Sequence, residues 1–412
     1  MKEEKVKEVA QVHDFAAKLL QPSVFPRLKE YILWQRAIRD GKEKAFYDSP
    51  DKAPISINLD LTTGCNYACD HCVDLEILNQ PDKFDHEKLR SSLDRMWKKG
   101  LKSVILIGGG EPTLYSRFED IVSFLKERSL DIAVVSNGTG MRKIKNVGNL
   151  FGERDWVRLS LDSGTDETFQ AMHKPKKPIK LEEICVNVLD TKKVHPNLNI
   201  GFSYIVTWKG AYANNAPIVE NIDEIVLAAK LARDHKFNYL SIKPFLERSP
   251  ENSAEMLGIH QPMDEYQETI KRIAEKIEEA KKFETPDFKI RESTNLRALE
   301  TGLVRDYTRQ PRNCHMSFFH GVLSPLGAFI CPVYRSVEKA RIGDKDAYAT
   351  EDSANMARRK TAEVIRDFNA AHECRNVTCL YNSANWLVEK LIENPKALEE
   401  LNLSKESADY FF

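Results

Sequence analysis

The sequence predicts an α/β fold built on a partial (β/α)6 barrel. Between residues 56 and 243, short strand-like apolar segments alternate with segments of helical periodicity. Parallel strands need a crossover connection, usually a helix, so this alternation predicts βαβ units. Six units are too few for a closed eight-stranded barrel, and they suit an open, TIM-like one. In such barrels the chemistry lies at the carboxyl ends of the strands.

Each predicted element of the barrel follows from its own apolar pattern. The strands are Ser56–Leu61, Ser103–Ile107, Asp131–Ser136, Trp156–Leu161, Asn199–Val206 and Tyr239–Ile242. The helical segments between them lie near 86–99, 117–128, 140–149, 180–193 and 221–235. We therefore assign residues 51–250 to the barrel.

The flanking regions have a different character. Residues 1–50 predict a helical extension, with Val6, Val9 and Phe15 on one helical face and a second helix near 27–40. Residues 251–310 predict a helical linker with a long charged helix near 263–283. Residues 311–412 predict a small α+β domain, with a β-hairpin over 322–330 and helices near 352–368 and 383–396.

The composition excludes several classes of protein. Of the 412 residues, 42% are hydrophobic and 30% charged, and the net charge is −1, so no overall field favours nucleic acid or anionic lipid. No apolar run approaches the roughly 20 residues of a membrane span, and the first residues lack the apolar stretch of a signal peptide. We expect a cytoplasmic protein without a nucleic-acid or membrane partner.

Three of the eight cysteines form a C-x3-C-x2-C motif, Cys65, Cys69 and Cys72, directly after the first predicted strand. Four cysteines saturate a [4Fe–4S] cluster, so three thiolates would leave one iron open. A structural zinc site normally needs a fourth ligand. His71 could supply it, but its position between two of the cysteines makes tetrahedral geometry awkward. Zinc stays open as the minor alternative.

Three further motifs follow the second, third and fourth strands. They are Gly108-Gly109-Gly110-Glu111-Pro112, Ser136-Asn137-Gly138-Thr139 and Ser160-Leu161-Asp162-Ser163. Glycines let the backbone approach a ligand closely, and a carboxylate can pair with an ammonium group. Strand-end capping is the alternative interpretation of the two serine motifs.

Together these motifs resemble the radical S-adenosylmethionine (SAM) superfamily over much of residues 56–243. The resemblance implies that Cys65, Cys69 and Cys72 are catalytic and hold a [4Fe–4S] cluster. This cluster would cleave SAM reductively to a 5′-deoxyadenosyl radical, which abstracts a hydrogen from the substrate. The cofactor-binding residues it implies are His71, Gly109, Gly110, Glu111, Ser136, Asn137, Ser160, Asp162, Tyr204 and Lys243.

Four more cysteines, Cys314, Cys331, Cys374 and Cys379, lie beyond the barrel around the predicted hairpin. This arrangement resembles the twitch domain, a shortened SPASM domain. The resemblance implies that all four ligate one auxiliary [4Fe–4S] cluster. A zinc knuckle would use the same thiolates, and a set of three ligands would leave an open iron. Both alternatives stay open.

The layout resembles that of single-twitch dehydrogenases, which implies an oxidoreductase that oxidises a small molecule through the auxiliary cluster. The expected partner is a reducing electron donor such as flavodoxin or ferredoxin. Lys209, Arg312 and Arg335 are candidate proton acceptors by position, although we interpret each as a surface charge. A ribosomal-peptide maturase or epimerase is the alternative enzyme, and a non-enzymatic metal-binding scaffold is the remote one. The sequence does not identify the substrate.

Overall fold

The computed structural model describes residues 14–42, 46–248, 255–258 and 263–412. Val6 and Val9, which the sequence places on a helical face, lie outside the described residues. The strands are β1 (Ser56–Leu59), β2 (Ser103–Leu106), β3 (Asp131–Ser136), β4 (Trp156–Ser160), β5 (Ile200–Val206), β6 (Tyr212–Ala213), β7 (Ala216–Pro217), β8 (Tyr239–Pro244), β9 (Leu246–Arg248), β10 (Glu255–Leu257), β11 (Lys289–Glu292), β12 (His320–Ser324), β13 (Gly327–Phe329) and β14 (Arg341–Gly343).

The helices separate these strands and flank the sheet. They are α1 (Phe15–Leu19), α2 (Phe25–Arg39), α3 (His86–Lys98), α4 (Phe118–Glu127), α5 (Met141–Val147), α6 (Asp166–His173), α7 (Leu181–Val194), α8 (Ile225–Asp234), α9 (Met263–Lys281), α10 (Thr294–Glu300), α11 (Val304–Thr308), α12 (Glu351–Asp367), α13 (Ala370–Glu373), α14 (Asn382–Glu393) and α15 (Pro395–Glu399). Local chemistry begins several of them. The Asp85 carboxylate accepts two backbone N–H bonds at the start of α3, and Thr350 and Ser353 form a capping box on α12.

One open sheet organises the fold, with the strand order β11-β8-β5-β4-β3-β2-β1-β12-β13-β14. The six predicted strands are β1 to β5 and β8, and they are parallel in the order that the sequence implies. The prediction of an α/β partial barrel is therefore confirmed.

Two parallel strands extend this barrel beyond the predicted six. β11 pairs with β8, and β12 pairs with β1 in a register that sets Ser56 opposite His320. The predicted hairpin is present as β12 and β13, but it continues the barrel sheet instead of standing apart from it. The proposed domain boundaries remain predictions.

The apolar core lies between the sheet and the outer helices. Leu59, Leu106, Leu159 and Phe202 are fully buried there. Because side chains alternate along a strand, the residues next to these four on their own strands face the barrel interior. Several interior positions are polar, such as Asn58 on β1. The barrel interior is therefore suited to a polar ligand.

The last residues of the chain lie at the amino-terminal end of the barrel. The Ser103 hydroxyl donates to the carbonyl oxygen of Tyr410 at 2.6 Å, and the Phe411 ring lies 5.6 Å from that of Trp156. Helices α1, α2 and α14 pack nearby around a second apolar cluster that includes Tyr31 and Phe412. These contacts cover the amino-terminal end of the barrel.

The helices of the described ranges differ from membrane-spanning helices. There, none of the helices combines the length and the apolar character that a membrane crossing requires. The cytoplasmic location expected from the sequence stays a prediction.

Candidate functional site

The cysteine loop, residues 60–78, follows β1 at its carboxyl end and carries Cys65, Cys69 and Cys72, all partly exposed. Burial raises the pKa of the Cys69 thiol well above its usual value, and the neighbouring thiols of Cys72 and Cys65 raise it further. Burial also raises the pKa of Cys72 to about 12. Thiolates are the metal-binding form, and such crowded thiols stay protonated unless a cation compensates them. The donor set therefore fits a metal cluster.

Two histidines join this loop to the end of β4. The Nδ1 atom of His173 lies 3.3 Å from the Cys69 Sγ, while its Nε2 atom lies 3.0 Å from the Leu161 carbonyl oxygen. Burial lowers the pKa of His173 to about 4, so its ring is neutral. His71 Nε2 lies 3.2 Å from the Asp162 carboxylate. Cys69, His71 and His173 place one ligand atom each within 4.8 Å of one another, so a single metal ion stays a structural alternative.

The glycine motif after β2 packs directly on the cysteine loop. Gly108 and Gly109 have φ angles of 53° and 64°, in the left-handed region that favours glycine. A Cβ atom on Gly110 would lie 2.5 Å from the Gly64 carbonyl oxygen and 2.6 Å from that of Thr62. Because those neighbours are backbone atoms, only glycine fits here. The motif thus brings bare backbone to the edge of the cysteine loop.

Glu111 joins the ends of β2 and β3. Its carboxylate accepts hydrogen bonds from the Thr113 N–H and hydroxyl at 3.1 and 2.5 Å, from the Ser136 hydroxyl at 2.8 Å and from the Asn137 N–H at 2.7 Å. Burial raises the pKa of Glu111 despite these donors. Glu111 thus holds together the loops that the sequence assigns to SAM.

Asn137 and Asp162 also contact the cysteine loop. The Asn137 side-chain amide donates to the Asn66 side chain at 2.8 Å. Asp162 is fully buried, and its carboxylate accepts the Ile205 N–H at 2.7 Å as well as contacting His71. Burial opposes ionisation of Asp162, but the hydrogen bond with His71 helps to lower its pKa. Ser160, the last residue of β4, is partly exposed on the interior face.

Two cations lie on the interior face of the barrel. Lys243 of β8 and Arg158 of β4 each alternate with buried core residues. Burial lowers the pKa of Lys243 well below its usual value, and the charge of Arg158 lowers it further. Burial also lowers the pKa of Arg158, whose guanidinium lies 5.2 Å from the Trp156 ring. Sequence reasoning missed Arg158, although a charge inside an apolar strand was a usable signal.

Tyr204 does not join this site, which corrects the prediction that it binds the cofactor. It lies on the outer face of β5 with Phe202, fully buried in the apolar core. Its hydroxyl donates to the Asn221 carbonyl oxygen at 2.6 Å. Because alternate residues of a strand face opposite sides, Ile205 and not Tyr204 faces the interior.

A buried ion network lies beside the glycine motif. The Arg335 guanidinium lies 2.7 Å from the Asp60 carboxylate and 2.7 Å from that of Asp74, and Arg248 lies 3.1 Å from Asp74. Burial raises the pKa of Asp60 to about 7 although Arg335 opposes that shift. Burial acts against ionisation of Asp74 too, but Arg335 and Arg248 lower its pKa. The interpretation of Arg335 as a surface charge is wrong, because the residue is only 4% exposed.

This network joins the two cysteine-bearing regions. Arg335 follows Cys331 by four residues, while Asp74 follows Cys72 by two. Arg248 donates to the carbonyl oxygens of Val73 and Val333, both at 2.7 Å. Sequence reasoning missed this connection because nothing local relates residues so far apart in the chain.

The second cysteine group also converges. Burial raises the pKa of the Cys379 thiol well above its usual value, and the nearby thiols of Cys374, Cys314 and Cys331 contribute. The Tyr334 hydroxyl lies 3.6 Å from the Cys374 Sγ and donates to the Glu373 carbonyl oxygen at 2.7 Å. Four partly exposed thiols that act on one another fit a metal-binding site of the same kind as the first.

The fold and site define a class: a parallel partial barrel that carries a cysteine loop at the carboxyl end of its first strand. Residues 59–204 match the Radical SAM superfamily. These residues form a radical SAM domain, in agreement with the resemblance of the motifs in residues 56–243, and the match supports an enzyme that uses SAM.

Two known proteins are similar to part of this chain. The S-adenosylmethionine-dependent nucleotide dehydratase of Selenomonas ruminantium is 25% identical over 161 residues, which are 37% of this chain and 56% of the relative. The putative peptide biosynthesis protein YydG of Bacillus subtilis is 25% identical over 189 residues, 46% of this chain and 55% of YydG. The chain thus spans just over half the length of these two relatives.

A solved structure has a similar fold. The structure of native anSMEcpe with bound AdoMet and Cp18Cys peptide has a TM-score of 0.52 and 17% sequence identity to this chain. The similarity covers 80% of this chain and 86% of anSMEcpe. At this identity the comparison supports the fold alone.

Proposed function

We propose that the protein binds a [4Fe–4S] cluster through Cys65, Cys69 and Cys72 and uses SAM to abstract hydrogen from a substrate inside the barrel. When bound, the cluster supplies the electron for reductive cleavage of SAM to a 5′-deoxyadenosyl radical. The observation that carries the proposal is a loop with three crowded thiols whose backbone, at Thr62 and Gly64, packs against the bare backbone of the glycine motif. The glycine motif lies at the carboxyl ends of the strands that surround the polar barrel interior.

The residues around that loop have distinct proposed roles. Gly109 and Gly110 bring backbone groups close to the methionine part of SAM. Glu111 holds that backbone in place through its hydrogen bonds with the β3 end. Lys243 and Arg158 make no ion pair among the described residues, and these basic side chains suit the carboxylate of SAM or an anionic group of the substrate.

We further propose that Cys314, Cys331, Cys374 and Cys379 hold an auxiliary [4Fe–4S] cluster in a C-terminal unit over residues 311–412. The enzyme would then be an oxidoreductase whose substrate gives a hydrogen atom to the deoxyadenosyl radical, a proton to a base and an electron to the auxiliary cluster. Asp60 is a better proton acceptor than Arg335, because an arginine does not deprotonate in proteins. Burial raises the pKa of Asp60 to about 7, which suits a group that gains and loses a proton near neutrality.

Anaerobic reconstitution with iron and sulfide tests both metal sites. We expect about eight irons per chain from two four-iron clusters. A Cys65→Ala, Cys69→Ala, Cys72→Ala variant should keep about four irons and form no 5′-deoxyadenosine. The Cys185→Ala variant is the matched control, because Cys185 is a buried core residue of α7. Deoxyadenosine from the triple variant, or zinc in the protein, would contradict the proposal.

A peptide-modifying enzyme is the second candidate. It is favoured by the relative named for peptide biosynthesis. Mass spectrometry of substrates incubated with SAM in deuterated water separates the outcomes. A loss of two hydrogens indicates oxidation, whereas deuterium gain at a carbon without that loss indicates epimerisation.

A further inference from the structure

The segment between α6 and α7, residues 174–180, forms a basic loop on the surface. Its sequence is Lys-Pro-Lys-Lys-Pro-Ile-Lys, with four lysines and no acidic residue. All four lysines are exposed. Because the whole chain has a net charge of −1, this concentration of positive charge is a local feature.

The basic loop lies directly against the cysteine loop. The Lys176 N–H donates to the Asn66 carbonyl oxygen at 2.9 Å, and its ammonium donates to the Cys65 carbonyl oxygen at 2.8 Å. Lys174 donates to the Asp70 carboxylate at 2.7 Å. A molecule seated on this loop is therefore separated from the backbone of Cys65 by one side chain.

Hydrogen bonds anchor the C-terminal end of the basic loop to α6. The Gln170 side chain donates to the Ile179 carbonyl oxygen at 2.7 Å, and the Leu181 N–H donates to the Asp166 carboxylate at 2.8 Å. Asp70 neutralises Lys174, but Lys177 and Lys180 make no ion pair within the described part of the chain. Preorganised charge of this kind costs little ordering entropy on binding.

We propose that the basic loop is the docking site of a small acidic electron-transfer protein that reduces the N-terminal cysteine site. This inference rests on the proposed function and goes beyond it by assigning the surface and the partner. Complementary charge steers such a carrier to the loop and raises its association rate. Each encounter oxidises the carrier by one electron, and that electron is consumed when one SAM is cleaved.

Charge reversal at the loop tests the assignment. The Lys177→Glu, Lys180→Glu variant leaves untouched the two lysines that contact the cysteine loop. The control is Lys29→Glu, Lys405→Glu, which makes the same charge change at exposed positions of α2 and the C-terminal segment. Each protein is assayed for SAM-dependent deoxyadenosine with dithionite and with enzymatically reduced flavodoxin or ferredoxin.

We expect the loop variant to lose about tenfold or more of its carrier-driven rate at low ionic strength and to keep its dithionite-driven rate. The control should keep both rates. The proposal is overturned if the loop variant keeps the carrier-driven rate, or if the wild type works with dithionite but with neither carrier. If the loop variant loses rate with both reductants, and added peptide substrate restores that rate, the loop is a substrate site instead.

Zero-length carbodiimide cross-linking supplies a readout that does not require activity. It joins lysine ammonium groups to carboxylates, so the reconstituted protein mixed with flavodoxin should give cross-links at Lys177 or Lys180. Cross-links confined to other lysines overturn the proposal. Absence of deoxyadenosine from the wild type with dithionite would instead refute the proposed function, while the cross-link map would still report on docking.

Discussion

Replacing Arg335 by methionine removes the cation that Asp60 and Asp74 share beside the glycine motif. Both carboxylates are buried, and Arg335 lies 2.7 Å from each. Asp74 keeps Arg248 at 3.1 Å, whereas Asp60 has no other cation within the described part of the chain. The two carboxylates should therefore respond differently to the substitution.

The magnitude follows from the pKa of Asp60, which is about 7 in the folded protein against about 3.9 in an unfolded chain. Because the folded state binds the proton more tightly, ionisation of Asp60 opposes folding. In the wild type this penalty grows from about pH 4 to pH 7 and then levels off, at about 4 kcal/mol. Without Arg335 the pKa rises further, so the penalty continues to grow by about 1.4 kcal/mol per pH unit.

The lost contact with Asp74 adds about 2 kcal/mol that does not depend on pH above pH 5. We therefore expect Arg335→Met to lower the free energy of unfolding by about 2 kcal/mol at pH 7 and by about 5 kcal/mol at pH 9. Urea unfolding of the reconstituted protein, followed by tryptophan fluorescence from pH 6 to pH 9, measures both values.

The double variant Asp60→Asn, Arg335→Met is the control, because it removes the group that titrates. Its loss of unfolding free energy relative to the Asp60→Asn single variant should be the same at pH 7 and pH 9. If the loss in Arg335→Met alone is equally independent of pH, Asp60 does not depend on Arg335 and the reasoning is refuted.

Three other substitutions test the site. Glu111→Gln sets an amide donor against the donors that now bind the carboxylate, so it should lower the free energy of unfolding by about 2 kcal/mol and weaken SAM binding in equilibrium dialysis. The control is Glu127→Gln at an exposed position of α4. Equal effects of the two substitutions would refute the role of Glu111. Gly110→Ala should displace the cysteine loop and abolish SAM binding, because its Cβ would lie 2.5 Å from a carbonyl oxygen. The control Gly152→Ala should keep SAM binding, because its Cβ would lie 3.7 Å from its nearest neighbour. Burial lowers the pKa of His320 to about 3, so the folded protein loses stability as pH falls below 6.5. His320→Phe should therefore gain about 2 kcal/mol of unfolding free energy on the wild type between pH 6.5 and pH 4.5, and parallel pH profiles would contradict this.

The sequence alone determined the barrel, the two cysteine groups and the glycine motif, because each depends on local pattern. Alternating periodicity located the six parallel strands, and the motifs follow strand ends within a few residues. Parallel strands then bring those ends to one edge of the sheet, where Glu111 accepts the Asn137 N–H at 2.7 Å.

Only the tertiary structure decided which side chains meet across the sheet. A one-residue step reverses the face of a strand, and this removed Tyr204 from the site and placed Arg158 in it. Asp60 and Arg335 are 275 positions apart in the chain, and no local signal relates them. They meet because β12 pairs with β1, a long-range contact whose formation depends on the packing of the whole barrel.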